Sequence, residues 1–345
     1  MSDRVTRAMR RFVTVPLFIL SFLLGLVSLP LLLPLCAAAD IVRGSRFAMT
    51  RGVVFLVHYF GCETFGILGS GWLWLRFGLT TGRAGPAWVD AHFRLQSWWA
   101  STLLTGGRVL LGFCVDVEGS EVVPRGDGPF LLFVRHVSVV DTVLAAHYLS
   151  AAHGHRLRYV LKRELLWDPC LDIVGHRLPN CFIEREANIS EPEIQRIRGL
   201  AQDLGPSDGV LIYPEGTRFT PERRKAVLAR IEARGDTVLL ARARALENLL
   251  PPRLGGSLAL LEECPETDVV FCAHEGLEGT MRLTDLLSGS LVGSRVKAAF
   301  WRVPAIAIPS SREAKSEWLF NRWEEMDLWI AARLRRRSHP RSAQR

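Results

Sequence analysis

Phe130-Leu131-Leu132-Phe133-Val134-Arg135-His136-Val137-Ser138-Val139-Val140-Asp141-Thr142 reads in three steps. Phe130 to Val134 is an unbroken apolar run of strand length, the pattern of a strand buried on both faces. Arg135 and His136 follow at once, at the carboxyl end of that strand, where α/β sheets present their ligand sites. Ser138-Val139-Val140-Asp141 then has the Ser-x-x-Asp spacing of a helix start. Asp141, five residues after His136, therefore has two compatible roles. It can cap the next helix, and it can orient the imidazole and stabilise its protonated form. The spacing is common by itself, since His58 and Glu63 repeat it. Ser138 lacks the Gly-x-Ser-x-Gly elbow of a serine nucleophile.

Outward from this stretch, short β-like runs alternate with helical ones. Residues 111–117, 158–161, 180–184, 210–213, 268–272 and 297–308 read as strands. Residues 142–152 and 191–204 read as helices, and Thr220-Pro221 is an N-cap and N1 pair for a helix running to Arg234. This alternation predicts an α/β fold, a mainly parallel sheet flanked by helices.

A different composition leads the chain. Between Arg11 and Asp40 no charged residue occurs, which is long enough to span a bilayer. Arg4, Arg7, Arg10 and Arg11 precede it and predict a cytoplasmic N-terminus. Cys36-Ala37-Ala38-Ala39 also resembles a signal-peptide cleavage site, but the apolar run is longer than such peptides need. Pro16, Pro30 and Pro34 argue against a straight helix. Residues 52–75 form a second apolar stretch, either another span or a re-entrant hairpin, with Glu63 at a packed helix interface. Residues 86–111 read as a tryptophan-rich helix and 313–334 as an amphipathic helix with a basic tail. The organisation expected is a membrane-anchoring segment over 1–85, an α/β domain over 86–310, and the helix and tail over 311–345.

The formal charge of +8 fits an anionic surface or substrate. No nucleic-acid motif accompanies it, and two apolar stretches precede the domain, which argues against a nucleic-acid partner. Seven cysteines stand singly, without Cys-x-x-Cys, and predict reduced thiols with neither a disulfide framework nor a metal site.

A second constellation lies at Val210-Leu211-Ile212-Tyr213-Pro214-Glu215-Gly216-Thr217-Arg218-Phe219-Thr220. A strand ends near Pro214, Gly216 permits a tight turn, and Arg218 stands just before a helix N-terminus. An arginine beside helix N–H groups makes a phosphate site. The plainer reading is an ordinary strand-to-helix turn with a Glu215–Arg218 ion pair.

His-x4-Asp followed by Pro-Glu-Gly-Thr-Arg resembles the glycerolipid acyltransferases of the lysophosphatidate acyltransferase type. Leu161-Lys162-Arg163-Glu164-Leu165 and Cys181-Phe182-Ile183-Glu184-Arg185 sit in the order of that family's middle blocks, and Leu250-Pro251-Pro252-Arg253-Leu254-Gly255-Gly256 resembles a later one. The likeness covers roughly residues 110 to 280. It implies an α/β domain behind a helical membrane element. It also implies acyl transfer from a thioester, on CoA or acyl carrier protein, to the hydroxyl of a lysophospholipid acceptor, with no cofactor or metal. By match, His136 is the general base and Asp141 its support. Glu215, Gly216, Thr217 and Arg218 match the block that holds the acceptor phosphate, Arg185 a second phosphate contact, and Lys162 and Arg253 further substrate contacts. Arg135 stands where the family usually has Asn or a small residue. The implied location is a membrane, with the catalytic part on the cytoplasmic side of a bacterial inner membrane. The rival readings are an acyltransferase for another lysophospholipid or acceptor, and a non-catalytic scaffold that binds anionic lipid.

Overall fold

In the computed structural model the described residues are 3–122, 126–184, 190–279, 285 and 289–338. The chain divides into two compact units, each assembled from separated stretches. The first is Met1–Cys114, Thr142–Ala187 and Arg282–Ser294; the second is Val115–Asp141, Asn188–Met281 and Arg295–Arg345.

The first unit begins with three long helices: α1 (Asp3–Arg43), α2 (Ala48–Leu79) and α3 (Pro86–Leu111). Helix α1 continues through Pro16, Pro30 and Pro34 without a break. Helix α2 is also uninterrupted, which removes the hairpin alternative. Both are long and apolar enough to cross a membrane. Their closest approach needs glycine. A Cβ on Gly25 would sit 2.9 Å from a Val57 methyl carbon, and one on Gly61 would sit 3.0 Å from the Phe22 ring. Small residues let helix backbones approach in this way.

Glu63 of α2 is fully buried against α3, as the expectation of an interface had it. It accepts hydrogen bonds from Trp99 Nε1 at 2.6 Å and from Cys170 N at 3.1 Å. Arg10 and Arg11, read from sequence only as topogenic charges, both bind the buried Asp172. That aspartate lies on α5 (Pro169–Gly175). The unit also holds a short helix, α4 (Asp141–Ala145), whose first residue belongs to the second unit, and the parallel strands β3 (Arg156–Lys162) and β4 (Cys181–Ile183). Strand β1 (Cys114–Glu118) begins at the boundary between the units.

The second unit is built on strand β2 (Phe130–Val134), each of whose residues is 0–1% exposed. It pairs in parallel with β5 (Asp208–Ile212) on one side and β6 (Asp268–Glu275) on the other, Leu132 facing Leu211 and Val270. Strand β7 (Arg295–Val303) runs antiparallel to β6, and β1 lies beyond it. The sheet is thus mixed but mainly parallel, and β2 at its centre is apolar throughout, as a strand buried on both faces is. Helices α6 (Glu191–Gly199), α7 (Pro221–Ala233), α8 (Thr237–Ala245), α9 (Leu254–Glu263) and α10 (Arg312–Ser338) complete the unit. Of these, α8 and α9 were not read from the sequence.

Helix α10 was expected to be amphipathic, and its buried stripe is Leu319, Trp323, Met326 and Ile330, each 0% exposed. The spacing is that of one helix face. Trp323 donates to the Leu250 carbonyl at 3.0 Å, and Asp327 accepts from the amides of Glu247 and Asn248. The helix therefore braces the loop between α8 and α9. All seven cysteines are free thiols.

Candidate active site

Because β2 and β5 are parallel neighbours, the segments after them start side by side. The loop after β5 grips the loop after β2 by its backbone. Glu215 Oε1 accepts from His136 N at 2.7 Å, and Phe219 N donates to the His136 carbonyl at 2.7 Å. The two motifs read separately in the sequence are one hydrogen-bonded frame.

Asp141 lies behind His136 with no solvent exposure. Its Oδ2 accepts from Val137 N at 2.7 Å, from Ser138 N at 2.8 Å and from His136 Nδ1 at 3.1 Å. Ser138 Oγ accepts in turn from Val140 N, so one aspartate both caps the helix start and holds the ring. Burial alone would raise the Asp141 pKa. The attraction of the His274 and His136 imidazoles and the donated hydrogen bonds outweigh it, and the group falls below the usual aspartate value. With Asp141 ionised, the His136 proton belongs on Nδ1 and the basic lone pair on Nε2. The Tyr213 ring packs on the imidazole, with centroids 4.3 Å apart.

Glu215 is 2% exposed, and its second oxygen accepts from Leu250 N at 2.8 Å. Both oxygens are thus taken by backbone amides, so this residue ties the His136 loop, its own loop and the Leu250 segment together. Burial pushes its pKa up to about 8, against the pull of the two N–H donors and of Arg135.

Gly216 adopts φ of 66° in the turn closed by its N–H to the Tyr213 carbonyl. The backbone angle favours glycine, and a Cβ there would lie 2.7 Å from Arg253 Cδ and Nε, so any larger residue would also displace the arginine crossing it. Arg253 N donates to the Pro214 carbonyl at 2.8 Å. Burial, and then the like charge of Arg230, push the Arg253 pKa below the ordinary arginine value. Arg218 presents its carbonyl to Arg223 Nη1 at 3.0 Å, and Thr220 caps α7 by accepting from Arg223 N. Thr217 and Arg218 are half-buried on this loop. Lys162 closes β3 in the first unit, and Arg185 lies outside the described residues. Among the described residues no group of three or more His, Cys, Asp or Glu side chains could hold a metal ion.

Arg135, adjoining the base in sequence, turns inward. It is 1% exposed and donates to the carbonyls of His274 and Asn248 and to Glu278 Oε1 at 2.8 Å. Asn248, His274 and Glu278 were not singled out in the sequence. The only hint was a histidine closing the apolar run of β6.

Residues 114–255 match the family model described as acyltransferase. A curated relative, 1-acyl-sn-glycerol-3-phosphate acyltransferase epsilon from Mus musculus, is 23% identical over 235 residues, which cover 64% of this chain. The match spans 63% of that relative's length, just under two thirds. Among solved structures, the 1-acyl-sn-glycerophosphate (LPA) acyltransferase PlsC from Thermotoga maritima is similar in fold. Its TM-score is 0.50 at 14% identity, over 80% of this chain and 97% of that one. Both quoted motifs fall inside the matched segment.

Proposed function

We propose that the chain is a membrane-bound enzyme that moves a fatty acyl group from a thioester, on CoA or acyl carrier protein, to the free hydroxyl of 1-acyl-glycerol-3-phosphate, forming phosphatidic acid. The observation that carries this reading is the shared frame: Glu215 and Phe219 hold the His136 backbone from the loop that bears Gly216, Thr217 and Arg218. A base and an arginine-bearing turn are thereby set at a fixed spacing, as a phosphorylated alcohol requires.

His136 Nε2 takes the hydroxyl proton as the oxygen attacks the thioester carbonyl. Asp141 Oδ2 stabilises the imidazolium that forms. The carbon–sulfur bond then breaks, and the imidazolium returns the proton to the departing thiolate. The thioester is already activated, so the route needs no covalent enzyme intermediate. Arg218 and Arg253, with the Gly216–Thr217 turn, hold the acceptor phosphate. The crowding of Arg253 by Arg230 is the electrostatic condition that a bound phosphate relieves. Arg185 and Lys162 are assigned to further substrate contacts through their family blocks. Helices α1 and α2 anchor the protein, with the catalytic part on the cytoplasmic side, where thioester donors are made.

The test is product analysis. Membranes containing the protein receive labelled acyl-CoA or acyl carrier protein and a panel of lysophospholipids, and products are identified by mass. Phosphatidic acid is expected, with the label lost in His136→Ala. A different lysophospholipid acylated in preference overturns the acceptor assignment, and full activity in His136→Ala supports the lipid-binding scaffold instead. Arg218→Ala should raise the acceptor KM more than the donor KM.

A further inference from the structure

The aspartate behind the base has a second histidine on its other oxygen. Strand β2 ends at Val134, in register with Cys272, while β6 continues to Glu275. His274 therefore lies beyond the paired region, beside the turn that carries His136. It has no solvent exposure. Its Nε2 is 3.2 Å from the Arg135 carbonyl and 3.3 Å from Asp141 Oδ1. Its Nδ1 is buried with no hydrogen-bond partner among the described residues, so the proton of the neutral ring belongs on Nε2, where two acceptors wait. Among the described residues Asp141 Oδ1 has no well-formed hydrogen bond, and the His274 Nε2 at 3.3 Å is the nitrogen that faces it. The Arg135 guanidinium closes the circuit by donating to the His274 carbonyl and to Glu278.

We propose that His274 is a positioning residue for acyl transfer: its Nε2–H, shared between the Arg135 carbonyl and Asp141 Oδ1, locks the aspartate so that Oδ2 stays on His136 Nδ1. The inference rests on the catalytic reading above. It also gives a function to Arg135, which fixes His274 from behind and carries no substrate. The charged and titratable groups facing this pair are His136, Arg135, Glu278, Glu215 and Cys272. Burial drives His274 toward the neutral form against the attraction of Asp141, and the charge of Arg135 adds to that drive. A neutral donor leaves Asp141 its full charge for the imidazolium of His136. Without the Nε2–H, the aspartate charge is shared with fewer donors and holds the His136 proton more tightly.

The experiment uses the full chain in lipid, with acyl-CoA and lysophosphatidate as probes. His274→Leu removes the donor, while His274→Gln keeps a side-chain N–H. In His274→Leu, kcat should fall about 10- to 100-fold, as a misplaced catalytic group costs. Both KM values should change less than about threefold. The acid limb of kcat/KM should move to higher pH, and His274→Gln should restore both the rate and the limb. A folded His274→Leu with an unmoved acid limb overturns the proposal. So does an equal loss in the two variants, or a change confined to KM. Should His274→Leu not accumulate, His274→Asn carries the same comparison, because its amide is too short to reach Oδ1. Absence of acyl transfer by the unmodified protein to any lysophospholipid overturns this inference and the functional reading together. Unmodified turnover with an unaffected variant overturns the inference alone.

Discussion

Asp141 and Glu63 are both acids with no solvent exposure, one in each unit, and they are surrounded by opposite chemistry. Asp141 meets two imidazoles and two backbone amides. Glu63 meets an indole N–H, one backbone amide and another acid, Asp168, to which Tyr59 also donates a hydrogen bond. Burial pushes Asp168 above the usual aspartate value, against the pull of the hydrogen bonds it receives from Leu171 N, Glu63 and Tyr59. Asp141 instead is held below it. A buried acid among cations and donors keeps a charge that can act on a neighbour. A buried acid beside another acid becomes a hydrogen-bonded joint between helices.

Parallel substitutions sharpen that contrast. The largest effect should come from Asp141→Asn, which removes the charge behind His136. Its kcat should fall by about 1,000-fold or more, as losing the carboxylate of a comparable triad does. The matching Glu63→Gln should leave kcat nearly unchanged, because among the described residues Glu63 hydrogen-bonds only within its own unit, to Trp99 and Cys170. Steady-state assays on both proteins make the comparison, and a large kcat loss in Glu63→Gln would erase the distinction between the two sites.

Stability should separate them the other way. Glu63→Leu strands the Trp99 and Cys170 donors and should cost about 1–3 kcal/mol in denaturant unfolding, against less than about 1 kcal/mol for Glu63→Gln. Glu215→Gln belongs with the first of these. Its amide places an NH2 against a backbone donor, either His136 N or Leu250 N, and should cost about 1–3 kcal/mol. A neutral result there would mean that the two loops hold together without Glu215.

The smallest effect is in pH dependence, and its sign differs between the sites. Asp141, depressed in the folded protein, contributes stability that is present above the ordinary aspartate value of 3.8 and is lost as pH falls. Asp168, raised in the folded protein, contributes stability that is present below 3.8 and is lost as pH rises through its folded value. Unfolding free energies measured across pH should therefore lose part of their fall below 3.8 in Asp141→Asn and part of their fall above 3.8 in Asp168→Asn. Curves that move together would break the comparison.

The alternation of apolar runs and helix starts was legible because it is local. Phe130–Val134 matched its strand at both ends, and Pro86–Leu111 matched its helix. The short helices α8 and α9 were not legible. Thr237–Ala245 has arginines within a weak apolar pattern, and Leu254–Glu263 begins with Leu-Gly-Gly, which reads as a loop until packing against α6 and α10 buries it. Both candidate motifs were visible, and so was the dual use of Asp141 as cap and imidazole partner. Glu215 was read as a substrate contact by its motif. In the structure each of its buried oxygens accepts a backbone N–H, a role in the frame that the motif did not announce.

What the sequence by itself determined is the set of elements and their chemical ends: apolar strands, amphipathic and bilayer-length helices, and a histidine and an arginine placed just after strands. These follow from periodicity and from residues a few positions apart. Only the tertiary structure decided which chemical groups meet. His274 reaches Asp141 because β6 outruns β2 past the pairing of Cys272 with Val134, and a strand register is a contact between distant parts of the chain. Arg135 follows β2 at the end where α/β sheets present their ligand sites, and packing turned it inward toward Glu278, Asn248 and His274. Local sequence carries the propensity of each segment, while the partners of a buried charge depend on the packing of segments more than a hundred residues apart, for which no local pattern exists.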